Sequence, residues 1–137
     1  MTELQIQTQI MYWAGTRSIT CPELKMLFHV PNEGKRSVIT GSMLKKAGLK
    51  SGVPDLILPV ARMMNGQPYH GLFIELKNGH KKPSENQKWW LERLAQEGYL
   101  TAVCESFESA VGLISYYLDI ESGVAIPAYV WDEITFY

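Results

Sequence analysis

Two short runs hold the side chains best suited to chemistry: Asp55 in GVPDLIL, and Glu75 with Lys77 in GLFIELK. Strand residues point alternately to opposite faces, so Phe73, Glu75 and Lys77 share one face and Leu72, Ile74 and Leu76 the other. An acid and a base straight after an apolar run sit awkwardly in a sheet, because charges are seldom buried unless paired or bound to a metal. Asn65-Gly66, between the two runs, is a strong hairpin signal. Antiparallel partners meet start to end, so such a hairpin brings Asp55 beside Glu75 and Lys77. Two carboxylates at bonding distance repel, and a divalent cation is one way to keep both ionised. Mg²⁺ typically takes one or two carboxylates and completes its octahedron with waters and phosphate oxygens. Such an ion polarises a phosphodiester. A nearby lysine can orient the attacking water and offset charge on the phosphorus oxygens. A Glu-x-Lys triplet alone is common and usually marks an exposed strand edge; its pairing with Pro54-Asp55 is what gives it weight.

The elements needed to position these residues can be read from the surrounding pattern. Thr2 and Gln5 form a capping box for a first helix whose apolar face holds Leu4, Ile6, Ile10, Met11, Trp13 and Ala14 and which ends near Gly15. LKMLFHV reads as a strand and PNEGKRS as a polar loop. SVITGSMLKKAG is a weaker helix that Gly48 can terminate. The GVPDLIL and GLFIELK strands come next, paired through RMMNGQPYH. Ser84 then caps a helix that Gly98 stops. YLTAVCES is another strand, and Phe107, Val111, Ile114 and Leu118 recur at helical spacing in the last helix. Of the consecutive Trp89 and Trp90, one is expected in the core. The order predicts an α/β fold, a mixed central sheet flanked by helices on both faces. ESGVAIPAYVWDEITFY, apolar and aromatic without a helical period, reads as an extra strand or a docked arm.

A chain of 137 residues suits one domain with a sizeable core. Its apolar runs are too short to span a bilayer, and the start lacks the basic and small-residue marks of a signal peptide. Cys21 and Cys104 lie far apart without metal-ligand spacing, which reads as reduced core cysteines of a cytoplasmic protein. The net charge of −1 conceals a division along the chain. Residues 34–93 carry 11 of the 13 Lys and Arg and are +7, whereas residues 94–137 have no basic residue and are −7. A near-neutral total therefore leaves room for a polyanionic partner.

GVPDLIL, a hairpin and GLFIELK together resemble the PD-(D/E)xK nuclease motif. With the Glu3 and Gln7 helix, VPNEGKRS, GLKSGVPDLILP, PSENQKWWLERLAQEGY and AVCESFESAVGLI, the chain resembles the virus-type replication-repair nuclease (VRR-Nuc) domain over roughly residues 2–118. The resemblance implies a restriction-endonuclease-like fold over residues 1–118, with residues 119–137 as a tail packed on the domain or at a dimer interface. It implies Asp55, Glu75 and the Leu76 carbonyl as ligands of Mg²⁺, with Mn²⁺ as a substitute. Lys77 becomes the catalytic lysine, Glu3 a further acid reaching the metal directly or through water, and Gln87 a glutamine facing the site. Glu3 also suits the first turn of a helix, and Gln87 also completes a capping box with Ser84. Asn32, Lys35, Arg36, Lys81 and Lys82 would contact DNA phosphates, with Lys45, Lys46 and Lys50 in the same basic segment.

The expected activity is metal-dependent endonucleolytic cleavage of DNA leaving a 5′-phosphate, preferably in branched DNA such as Holliday junctions and as a homodimer. Competing readings are a nuclease of flaps or ordinary duplex, a DNA-binding module that retains the fold without catalysis, and a small-molecule hydrolase.

Overall fold

The structure is a computed structural model that describes residues 1–31 and 38–137, with backbone alone at Val38 and Ile39. Asn32, Lys35 and Arg36 lie outside the described residues. Helix α1 spans Glu3–Arg17 behind the Thr2–Gln5 capping box, and it buries Ile6, Ile10, Trp13 and Ala14. Two expectations fail here. Leu4 is exposed, and Gly15 does not end the helix, because the Ser18 N–H still finds the Ala14 carbonyl at 2.9 Å. The run expected as a full strand opens instead with a 3₁₀ turn, Pro22–Met26, leaving only Phe28–His29 as strand β1. Cys21, Leu24 and Leu27 are all buried, and that three-residue spacing is the period of a 3₁₀ helix.

Helix α2 (Val38–Lys46) precedes strand β2 (Leu56–Leu58). Strands β3 (Arg62–Met64) and β4 (Gln67–Tyr69) follow, then β5 (Leu72–Leu76), helix α3 (Glu85–Gln96), strand β6 (Leu100–Cys104) and helix α4 (Phe107–Leu118). The Asn65-Gly66 turn, with both residues at positive φ, closes a separate two-stranded ribbon of β3 and β4 rather than joining β2 to β5. The ribbon is an excursion; β2 and β5 still pair antiparallel, with Leu56 across from Ile74 and Leu58 across from Leu72. Strand β6 lies parallel to β5, with Glu75 beside Val103, and the connection through α3 is the long crossover that parallel strands require. A 3₁₀ turn (Ala128–Glu133) leads to strand β7 (Ile134–Phe136), antiparallel to β6. The main sheet thus runs β1-β2-β5-β6-β7.

One face of this sheet, with Leu72, Ile74 and Leu76, packs against Ile6, Ile10 and Trp13 of α1 and Val111, Ile114 and Leu118 of α4. Helix α3 covers the other face, where the Thr101 hydroxyl donates to the Leu91 carbonyl at 3.0 Å. Leu91 is the buried residue of α3, so neither tryptophan is core. Trp89 is half-exposed beneath the Arg93 guanidinium, and Trp90 donates its indole N–H to the Ser51 carbonyl at 3.0 Å. On the opposite face Gly112 admits the chain after α4. A Cβ there would come within 3.1 Å of Ile126 and 3.6 Å of Val130. Cys21 and Cys104 are buried free thiols. No helix among the described residues is long and apolar enough to cross a membrane.

Candidate active site

The alternation of β5 places Glu75 on the face beneath α3, where it is only 2% exposed. Because Leu56 lies across from Ile74, the next residues outward, Asp55 and Glu75, come side by side. The two carboxyls are near enough that each alters the other's proton affinity. Asp55 Oδ2 also accepts the Leu76 N–H at 2.8 Å. Burial, and then the Asp55 carboxyl beside it, push Glu75 from an ordinary 4.5 up to about 9, against the pull of Lys77. Burial raises Asp55 as well, although the Leu76 N–H works in the opposite direction. Lys77 Nζ stands 3.8 Å from Glu75 Oε2, with its side chain mostly buried.

Gln87 holds two positions at once. Its Nε2 donates to Glu75 Oε2 at 3.1 Å, while its Oε1 accepts the Ser84 N–H at 2.8 Å and its N–H reaches the Ser84 hydroxyl at 3.2 Å. The capping box is therefore what aims the amide at the acid. Glu3 shares a cavity of about 180 Å³ with Gln7, His29, Asp55 and Leu76, and its Oε2 accepts the Asn78 N–H at 3.3 Å. The Asn78 side-chain amide also donates to the Met1 carbonyl, so the chain before α1 is tied to the loop just after β5.

His29 escaped the sequence reading. Its Nδ1 lies 3.0 Å from the Asp55 carbonyl oxygen, which also accepts the Val30 N–H at 3.1 Å. A carbonyl can only accept, so Nδ1 carries the hydrogen and Nε2 of the neutral ring keeps its lone pair. The only sequence signal was a histidine ending a strand beside a polar loop. Lys81 and Lys82 are exposed in the loop after Lys77 and do not approach the carboxyls through any ion pair described; Lys45, Lys46 and Lys50 are exposed on and after α2.

Among the described residues, no group of three or more His, Cys, Asp and Glu side chains is gathered closely enough to hold a metal by itself. The donors fit a Mg²⁺-like cation in a sparser way: two neighbouring carboxyls whose mutual repulsion a proton or a cation relieves, with waters and substrate oxygens to complete the coordination. Asp55, Glu75 and the Leu76 carbonyl are the groups that would hold it.

A family model described as the VRR-NUC domain matches residues 1–108. A solved structure titled VRR_NUC domain protein superposes with a TM-score of 0.72 at 31% sequence identity, covering 88% of this chain and 90% of that one. No curated protein matches this chain.

Proposed function

The chain belongs to the VRR-NUC family, a nuclease-type domain with DNA as substrate, and we propose that it is a metal-dependent endonuclease that hydrolyses phosphodiester bonds in branched DNA. One observation carries this reading: the buried Glu75, beside the half-buried Asp55, has a lysine 3.8 Å and a glutamine 3.1 Å from the same carboxyl oxygen. Burial and the neighbouring acid raise the proton affinity of Glu75, and carboxyls perturbed in this way cluster at functional sites.

When bound, Mg²⁺ or Mn²⁺ supplies Lewis-acid polarisation of the scissile phosphodiester. Lys77 orients the attacking water and places positive charge against the phosphorus oxygens as the transition state forms. Gln87 fixes the rotamer of Glu75, and Glu3 holds the backbone at Asn78, so that the end of β5 is set before substrate arrives. Water oxygen attacks phosphorus in line, the P–O3′ bond breaks, and the 3′ oxygen takes a proton, leaving a 5′-phosphate. A homodimer suits this chemistry on a junction, because two symmetric cuts need two related sites.

The deciding experiment offers a four-way junction, a flap and a linear duplex to the protein with Mg²⁺ or Mn²⁺, beside Glu75→Ala. The reading expects junction cleavage that Glu75→Ala abolishes while DNA binding survives. Preference for flap or duplex would replace the substrate assignment, and undiminished cleavage by Glu75→Ala would remove the site assignment.

A further inference from the structure

The catalytic carboxyls are not the only surface shaped for nucleic acid. Two grooves flank the edge strand β7, one on each face of the sheet. The first, about 590 Å³, is lined by Lys81, Lys82, Lys88, His80 and Tyr137, and its wall includes Val103, the β6 residue paired with Glu75. Lys88 directly follows Gln87 on α3, so this groove begins beside the turn that touches the catalytic acid. Its own acids are Glu85 and Glu105, and Glu105 lies 2.8 Å from His80 Nδ1. Lys88 also stands 3.8 Å from Glu92, an exposed pair that a phosphate can readily displace.

The second groove, about 690 Å³, holds Tyr99, Tyr116, Trp131, Phe136 and Tyr137, and none of its lining residues is charged. Its Leu100 and Phe136 face the α4 side of the sheet, whereas Val103 and Thr135 of the first groove face the α3 side, so the two grooves flank β7 and share Tyr137 as a lining residue. Its rings are held in place. Trp131 meets Tyr116 edge to face at 5.3 Å, and the Tyr116 hydroxyl donates to Asn65 Oδ1 at 2.7 Å. Even so, Tyr116 is 49% and Trp131 41% exposed, which leaves ring surface without a partner.

We propose that the two grooves form one track for a single-stranded nucleic-acid segment, with phosphates on the lysines and bases on the rings, leading away from the catalytic carboxyls. A basic groove continued by fixed aromatic rings is the arrangement that binds single strands, because every base offers a π-face. Duplex DNA buries those faces in its own stack and could use the lysines alone. The inference rests on the nuclease reading and deepens it, since a branched substrate can present such a segment. Tyr99 lies within the residues matched by the family model, whereas Tyr116, Trp131, Phe136 and Tyr137 lie beyond them.

The test titrates the full chain, without divalent metal, with short fluorescent oligothymidylate. Wild type binds; Trp131→Ala and Tyr137→Ala each weaken binding by about 5- to 150-fold, the range for losing one stacked base. Trp131→Phe and Tyr137→Phe, which keep a ring, retain most of the affinity. Lys81→Gln with Lys82→Gln flattens the log–log salt dependence by about 1.4, at ~0.7 per phosphate contact on a single strand. Cleavage of a fully paired four-way junction with Mg²⁺ stays at the wild-type rate in Trp131→Ala. If wild type cleaves the junction but does not bind the oligomer, or the alanine variants bind it as wild type does, the track is wrong and the nuclease reading stands. Oligomer binding without metal-dependent cleavage of any DNA keeps the track and removes the nuclease reading. A dimer that Trp131→Ala turns into a monomer, with oligomer affinity unchanged, overturns the track and assigns the groove to a second copy.

Discussion

Glu75 lies on the central strand beneath α3, Trp131 in the turn before the edge strand and against α4, and the two fall short in opposite ways. Glu75 is shut away from water beside another acid, with a single lysine to balance the two. Trp131 and its neighbouring rings are well braced yet left open to water. Burial makes the first site sensitive to anything that changes its charge, because a desolvated carboxyl must find a proton or a cation. Exposure makes the second insensitive, because a surface ring contributes little to folding. A ligand that completes the first must be a cation, whereas one that completes the second must offer flat apolar faces. The two regions can therefore be separated by the size and kind of effect that substitutions produce.

The largest effect belongs to the acid. Glu75→Ala should lower metal-dependent cleavage by about 10³-fold or more, the scale seen when a preorganised charge at a reacting centre is removed. Single-turnover kinetics on a junction measure this, and a loss below tenfold would deny Glu75 a central place. Next comes the pH response of the metal-free protein. Between 4.5 and about 9 the unfolded chain has released the Glu75 proton while the folded chain still holds it. The folded state thus binds more protons in that window, and stability must fall as pH rises through it, being greatest below 4.5 as far as this group is concerned. Thermal melts at the two ends of the window should show the decline. Mg²⁺ should offset it at the alkaline end, and Glu75→Gln should flatten it.

Gln87 sharpens the contrast, because it serves the fold and the acid together. Gln87→Ala should lose about 1 kcal/mol in denaturant titrations through the cap, and should lower activity as well. Gln87→Glu can rebuild the capping box but sets a negative charge against Glu75, so stability should recover without the activity. Recovery of both would confine Gln87 to the cap. The smallest effect lies in the open region: Trp131→Ala should cost under about 1 kcal/mol in the same titrations, as substitutions of exposed side chains usually do. A larger loss would make that ring part of the core.

How much of this could be read beforehand depended on how local the cause was. Thr2–Gln5 and Ser84–Gln87 are capping boxes within four residues, and both form as written. Asp55, Glu75 and Lys77 come together because strand alternation and antiparallel pairing are simple geometry. Asn65-Gly66 was recognised as a turn, but a turn dipeptide does not say which strands it joins, and here it closes β3 to β4. Cys21, Leu24 and Leu27 lie in a short apolar stretch that could also be read as a strand; only the surrounding core selects the tighter helix. His29 owes its place to the carbonyl of Asp55, far along the chain, and no motif encodes that. Strand β7 has little pattern of its own and forms because β6 offers a free edge.

Asp55 joins more of the molecule than its carboxyl suggests. Its carbonyl receives the Val30 N–H and His29 Nδ1, and its side chain receives the Leu76 N–H, so a single residue rivets three strands at their ends. The amide hydrogens of Val30 and Leu76 should therefore exchange with solvent together, in one local opening event, despite their separation in sequence. Exchange of the two at unrelated rates, followed by NMR, would show that the rivet does not hold. If it holds, the breathing of the sheet edge and the readiness of the site are one motion.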